Sequence, residues 1–297
     1  MPFRIGIALG GGGARGLAHI GVLRELMRNG IPIYCVTGAS IGSIIGAIFA
    51  RRGSIEDVEL RVSNFLGSDI FQKAQLHALA QKDEDGAGWV NTLTGMMRKA
   101  VLYTYGVTRR SIIDVDEYKS SIGALIEDVE IEDLKLPFAA VATDIIEAKQ
   151  VVFTSGSLRL AVEASCAIPG IFPPVEEGNR LMVDGGWVNP VPVEPCRRLG
   201  ADIVIAVDIS QDLEENSDFK RSINIILRTN IITRVILREI QLKDADFIIR
   251  PAVGSQHWAD FSNIKEAIEL GAEAARNSIP VLKSLMKRKR RWSWLVG

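Results

Sequence analysis

The sequence predicts an α/β fold, with a central, mostly parallel sheet flanked by helices. Three observations carry that expectation. Ile5–Leu9 and Ile33–Thr37 are short apolar runs of strand length. Each runs into a glycine-rich turn, Gly10–Gly16 and Gly38–Gly42. Each turn is followed by a segment with helical spacing, Leu17–Arg28 and Ile41–Arg52. A strand–turn–helix unit used twice calls for parallel strands covered by helices. Right-handed crossovers then bring both glycine turns to one edge of the sheet.

The elements follow in order. Leu17, Ile20, Leu23, Leu26 and Met27 recur at helical intervals, and Asn29-Gly30 gives a stop signal. The helix from Ile41 ends at Gly53. Residues 55 to 128 are mostly helical in pattern, with a helical insertion at about 66–127. Phe138–Ile145 and Val151–Phe153 are expected to pair as strands. Leu158–Ser165 is expected to be a helix, closed by Ile168-Pro169-Gly170. Arg180–Val183 is a strand ending in Asp184-Gly185-Gly186, and Ile203–Val207 is a strongly apolar strand. A helix at about 219–242 leads to a strand at Phe247–Ile249, and a last helix fills about 261–287. The helix at 219–242 joins two parallel strands, which makes it a crossover helix. Its Arg221, Arg228, Arg234 and Arg238 on an apolar background would also suit membrane contact. No linker or repeat divides the chain, so one domain is expected over 1–275, followed by a basic, tryptophan-containing tail at 276–297.

Composition narrows the function classes. Hydrophobic residues at 47% supply a sizeable core, while a net charge of −1 gives no sign of a nucleic-acid partner. No run reaches the ~18 apolar residues of a membrane span. The first residues lack the apolar stretch and cleavage site of a signal peptide. Cys35, Cys166 and Cys196 are odd in number and far apart in sequence. They suit reduced core thiols in a cytoplasmic protein rather than a disulfide framework or a zinc site. Charge is uneven, however. Lys283, Lys287, Arg288, Lys289, Arg290 and Arg291 give the last 15 residues +6 with no acid, and Trp292 and Trp294 follow. Basic residues and tryptophans together suit peripheral contact with an anionic membrane.

The glycine turns carry the chemistry. Gly11-Gly12-Gly13-Ala14-Arg15-Gly16 matches G-x-G-x-x-G. A dinucleotide site would need an acid about 20 residues on, and Ile33–Gly38 has none. Four consecutive glycines exceed what a turn requires, and they let backbone N–H groups converge on an oxyanion. Gly38-Ala39-Ser40-Ile41-Gly42 fits a nucleophile elbow, with the Ile41 N–H able to add to the oxyanion hole. A helix-capping serine would leave the flanking glycines unexplained. The base is less obvious, because the chain has only three histidines. His19 lies in the first helix and is expected to be packed. His77 is expected to be solvated. His257 is the one histidine rival for the base. Asp144, Asp184 and Asp208 each end a predicted strand. Asp144 and Asp208 suit turn or capping roles. Asp184 is followed by two glycines, which leave room beside Ser40.

Taken in order, Gly11–Gly16, Gly38–Gly42 and Asp184-Gly185-Gly186 resemble the motifs of the patatin-like phospholipase family. The likeness is to its bacterial branch related to the neuropathy target esterase catalytic domain. Ala164–Pro174 is similar to the family's Ser/Ile-Pro segment. The resemblance implies a patatin-like α/β/α sandwich and a Ser40–Asp184 dyad. It implies an oxyanion hole from Gly11, Gly12 and Gly13, with Arg15 and Gly16 completing the glycine motif. The implied substrates are lipid carboxylic esters: phospholipid, lysophospholipid or acylglycerol. No cofactor and no metal are expected. The rival functions are a non-catalytic, lipid-responsive regulator and a nucleotide-binding protein. Trp89, Leu93, Met96, Met97, Val101, Leu102 and Tyr103 in the insertion would line an acyl entrance or simply pack together.

Overall fold

Among the described residues, eight strands form one mixed sheet in the order β5-β6-β3-β2-β1-β7-β8, with β4 on the remaining edge of β3. The strands are β1 (Ile5–Leu9), β2 (Ile33–Ala39), β3 (Phe138–Asp144), β4 (Lys149–Phe153), β5 (Val175–Glu177), β6 (Arg180–Asp184), β7 (Ile203–Val207) and β8 (Phe247–Ile249). The computed structural model describes residues 3–68, 110–210, 222–254 and 258–296. His77, His257 and the apolar residues named in the insertion lie outside the described residues. The parallel centre is β3-β2-β1-β7-β8, as the two strand–turn–helix units require. The paired strands β3 and β4 are antiparallel, and so are β3–β6 and β5–β6.

Strand alternation sorts side chains into two cores. Ile5, Ile7 and Leu9 of β1 and Ile203, Ile205 and Val207 of β7 face the larger one. Ala8, Val204 and Ala206 face a smaller one, with Cys35, Val191 and Cys196. The larger core is covered by α1 (Ala18–Arg28), α2 (Ile41–Arg52), α3 (Ile55–Leu66), α4 (Val115–Leu125) and α5 (Leu158–Cys166). The smaller is covered by α6 (Val193–Arg198) and the end of α7 (Ser222–Leu242). All three cysteines are buried free thiols. Two that are distant in sequence nevertheless meet: Cys35 Sγ and Cys196 Sγ are 3.8 Å apart.

Two helices differ from expectation. The last, α8 (Ile264–Val296), continues through the basic segment expected to be a tail. Lysine and arginine sustain helix well, and Lys289 forms an ion pair with Asp246 beside β8. At its other end α8 crosses α1 so closely that a Cβ on Gly21 would lie 1.9 Å from the Ile268 carbonyl oxygen. The second is α7. It joins parallel β7 and β8, as a crossover helix should. Yet Ile236 and Ile240 are 56% and 55% exposed, whereas Arg238 is only 3% exposed. The buried arginine is explained by Asp208, whose Oδ2 lies 3.6 Å from Arg238 Nε and 3.2 Å from Arg250 Nε. Among the described residues, no helix is long and apolar enough to cross a membrane.

Candidate active site

Sheet register places the two residues at the centre of the site. β2 runs parallel to β3 and its last pair is Ala39 with Val141. β6 approaches along the same edge of β3 from the opposite direction, and its last pair is Asp184 with Ala142. The two strands therefore meet end to end, with Ser40 leaving one and Asp184 closing the other. A parallel strand at β6 would have sent its carboxyl end the other way.

Ser40 sits in a strained turn, at φ 52° and ψ −128°. Such a conformation costs about 1–3 kcal/mol in a non-glycine residue and persists only when its surroundings impose it. They do so here. The Ser40 N–H donates to Ser165 Oγ at 3.0 Å. The Ser40 carbonyl accepts from both Ser43 N and Ser43 Oγ at 2.7 Å. The flanking glycines are sterically required, because a Cβ on Gly38 would lie 2.3 Å from Gly42 and one on Gly42 would lie 2.2 Å from the Leu9 carbonyl oxygen. The Ser40 side chain makes no capping hydrogen bond to α2, which disposes of the helix-cap alternative. Ser165 was not among the residues expected at the site. A serine inside a helix carries no spacing signal, and its role follows only from the packing of α5 against the elbow.

Asp184 is buried, and three backbone-level contacts hold it. Its N–H donates to the Ala167 carbonyl at 2.9 Å, and its own carbonyl accepts from Thr143 Oγ1 at 2.9 Å. Its Oδ1 accepts from the Gly186 N–H at 2.7 Å. The Ala167 contact gives the Ala164–Pro174 segment a concrete role as the floor beneath the aspartate. Burial raises the Asp184 carboxyl above its ordinary value, opposed by hydrogen bonds from the Ser40 side chain and the Gly186 N–H and by the charge of Arg234. The other two aspartates take the turn roles expected of them. Asp144 Oδ1 accepts from Ile146 N, and Asp208 Oδ1 accepts from Ser210 N while its other oxygen faces Arg250 and Arg238.

The first glycine loop arches over Ser40. A Cβ on Gly11 would lie 3.3 Å from Ser40 Cβ. The three glycine amides are not equivalent, however. The Gly11 N–H donates to the Pro190 carbonyl at 3.0 Å, so it is already committed. Gly12 and Gly13 donate to no acceptor among the described residues. Gly13 has φ +59°, and a Cβ there would strike the Trp258 carbonyl oxygen at 2.2 Å. Of the three glycines expected at an oxyanion hole, Gly12 and Gly13 thus have N–H groups that no described acceptor takes up, whereas that of Gly11 is taken by Pro190. Arg15 turns back so that its Nε donates to the Gly12 carbonyl at 3.2 Å, and Gly16 leaves space for the Ile41 side chain. His19 is fully buried, with Nε2 2.8 Å from the Gly10 carbonyl oxygen. Burial lowers its pKa to about 4. It is therefore neutral at pH 7 and donates from Nε2, bracing the glycine loop, a role beyond the packing expected of it.

Two cavities meet at Ser40. One, of about 180 Å³, is lined by apolar side chains including Leu17, Ile44, Val62, Phe65, Ile122 and Phe172. The other, of about 350 Å³, is bordered by the glycine loop, Asp184, Trp187, Arg15, Arg234 and Arg238.

A strained serine facing a buried aspartate under a glycine loop, on a mixed α/β sheet, defines a serine–carboxylate protein of the α/β class. The chain belongs to the patatin-like phospholipase family, whose model matches residues 7–197. It is 31% identical over 299 residues to patatin-like phospholipase domain-containing protein 7 of Mus musculus, covering 92% of this chain and 20% of that one. It is 33% identical over 207 residues to an uncharacterized NTE family protein of Mycobacterium bovis, covering 70% of this chain and 49% of that one. The chain thus spans about a fifth of the length of the mammalian relative and half that of the bacterial one. VipD from Legionella pneumophila shares the fold, at TM-score 0.51 and 14% identity, over 97% of this chain and 67% of that one.

Proposed function

We propose that this protein is a serine acyl hydrolase that cleaves lipid carboxylic esters through a Ser40–Asp184 dyad and an acyl-enzyme intermediate. The observation that carries this reading is the head-on meeting of β2 and β6, which sets a strained serine against a buried carboxylate where an apolar and a polar cavity join. Asp184 takes the Ser40 proton as the hydroxyl oxygen attacks the ester carbonyl. A carboxyl raised by burial is a better base near neutral pH than an ordinary one. The developing oxyanion is stabilised by the Gly12, Gly13 and Ile41 amides, each typically contributing about 10²–10³ in rate. Collapse expels the alcohol, which takes the proton back from Asp184. Water then attacks the acyl-enzyme as Asp184 takes its proton, and that proton passes to the Ser40 oxygen as the acyl–oxygen bond breaks and the carboxylic acid leaves.

Family membership and the apolar cavity support a lipid acyl group as substrate. A purely regulatory lipid pocket has no use for the strained conformation at Ser40. The helical segment beyond Lys289, with Arg290, Arg291, Trp292 and Trp294, supports peripheral contact with an anionic membrane.

Hydrolysis of a p-nitrophenyl acyl ester tests the reading. Ser40→Ala and Asp184→Asn are each expected to lose activity by about 10³-fold or more. A fluorophosphonate should label the wild type and not Ser40→Ala. Labelling of Ser40→Ala at the wild-type level would refute the nucleophile. Full activity in Asp184→Asn together with its loss in His257→Ala would move the base to the histidine.

A further inference from the structure

The smaller core holds a pair of nucleophiles that the proposed ester chemistry does not use. Cys35 on β2 and Cys196 on α6 are both fully buried, with their sulfurs 3.8 Å apart. The Cys35 thiol also donates to the Cys196 carbonyl at 3.7 Å. Gly6 on β1 makes room for both sulfurs. A Cβ there would lie 2.3 Å from Cys196 Sγ and 2.9 Å from Cys35 Sγ. The third thiol is set apart. Cys166 belongs to the larger core, with Ser43 Oγ 3.6 Å from its sulfur.

We infer that Cys35 and Cys196 are a modification site, a dithiol that a two-electron oxidant of the peroxide class converts to an internal disulfide tying β2 to the segment 190–196. This inference is independent of the ester chemistry. An S–S bond is about 2.05 Å long, so the two sulfurs need to approach by about 1.8 Å in all. No side chain on Gly6 stands in their way.

Access runs through α6. That helix has only six residues, and its Glu194, Arg197 and Arg198 are exposed. A helix this short opens more readily than a strand in the middle of a sheet. Cys196 is therefore the thiol that meets the oxidant. In the closed fold the hydrogen bond with Cys35 and burial raise the Cys196 thiol well above its ordinary value, which keeps the pair inert until α6 opens. The opened Cys196 sulfur then attacks peroxide. Its sulfenic acid forms as the O–O bond breaks, and one water leaves. When α6 closes again, the Cys35 sulfur attacks the sulfenic sulfur. The S–S bond forms, the S–O bond breaks, and hydroxide departs with the Cys35 proton as a second water. The two thiols lose two electrons and the peroxide gains them.

The segment so tied also serves the active-site loop. The Pro190 carbonyl accepts from the Gly11 N–H at 3.0 Å, and the Pro192 carbonyl accepts from Thr37 Oγ1 of β2 at 2.8 Å. The disulfide adds a covalent tie to these hydrogen bonds.

The test exposes the folded protein to hydrogen peroxide and then blocks the remaining thiols with iodoacetamide in denaturant. Mass spectrometry should find one blocked thiol where the reduced protein has three. A tryptic digest should contain the Cys35 and Cys196 peptides joined to each other, and dithiothreitol should restore all three thiols. Cys35→Ala should form no internal disulfide, and its Cys196 should instead be trapped by dimedone as the sulfenic acid. In the cross-linked wild type, amide hydrogen exchange across 190–199 should slow by at least about tenfold relative to the reduced protein. Absence of the joined peptides would overturn the inference, whether three thiols remain or the bond involves Cys166 or a second chain. Unchanged exchange in the cross-linked protein would overturn the tie to the segment 190–196.

Discussion

The two sides of Ser40 are built in different ways. On the sheet side, the groups proposed to act on the ester lie at strand ends and in the turns that follow them. Ala39, the residue before Ser40, and Asp184 sit at adjoining register positions on one edge of β3, and the Gly10, Gly11 and Ala14 amides that flank the proposed donors Gly12 and Gly13 are fixed by bonds to Val207, Pro190 and Trp258. On the far side the walls are helical. The apolar cavity is made by side chains of α2, α3, α4 and α5, and the cationic one by α7. Register cannot slip by one residue without turning every side chain to the other face. Helix side chains can change one at a time. The contrast implies that, in the proposed hydrolase, the reaction would be set by the sheet and the choice of lipid by the helices.

The largest expected effect joins the two sides. The proposed base Asp184 would act only when ionised, and burial raises its carboxyl above the ordinary 3.8. The acid limb of kcat/KM should therefore lie above that value, with activity falling about tenfold per pH unit below it. Arg234 opposes the rise through its charge, so Arg234→Met should move the limb to higher pH. A pH–rate profile on a neutral ester checks both statements, and a limb at or below 3.8 would show that Asp184 is not the base. A smaller effect belongs to the helical side alone. Ile122→Trp in α4 fills part of the apolar cavity. It should lower kcat/KM for a long acyl chain relative to a short one by about tenfold, in line with the roughly one to three kcal/mol that a pocket assigns to small changes in chain volume. An unchanged chain-length profile would show that the acyl group lies elsewhere.

These regions are also unequally legible in the sequence. Strand periods and glycine turns are local signals. β1, β7 and β8 accordingly match their expected bounds, and Ser40 and Asp184 stand out from the residues that flank them along the chain. What the sequence hides is non-local. The commitment of the Gly11 amide to Pro190 joins residues 179 apart in the chain. The support of Ser40 by Ser165 likewise depends on packing between distant elements. The α7 helix joins two parallel strands as its place in the chain predicts, but its facing is non-local, because Asp208 draws Arg238 inward while Ile236 and Ile240 are left exposed. Helix α8 outruns its expected end because Asp246, far away in sequence, supplies an anchor for Lys289.

The smallest effect concerns stability rather than rate, and it tests whether the sheet side is as fixed as its bonding implies. His19 is neutral and buried in the fold, with a pKa of about 4 against an unfolded value of 6.5. As pH falls below 6.5, the unfolded chain binds a proton that the folded one refuses until about pH 4. Stability should then decline by up to about 1.4 kcal/mol per pH unit across that window. In a protein of this size that amounts to roughly 2–4 °C in Tm per unit. His19→Gln keeps an N–H donor for the Gly10 carbonyl and cannot titrate, so its Tm should be flatter between about pH 6.5 and 5. Carboxylates that protonate in the same range act on both proteins and cancel in the difference. An identical pH slope in the two would mean that the histidine is solvated in the fold and that the glycine loop is braced by its backbone bonds alone.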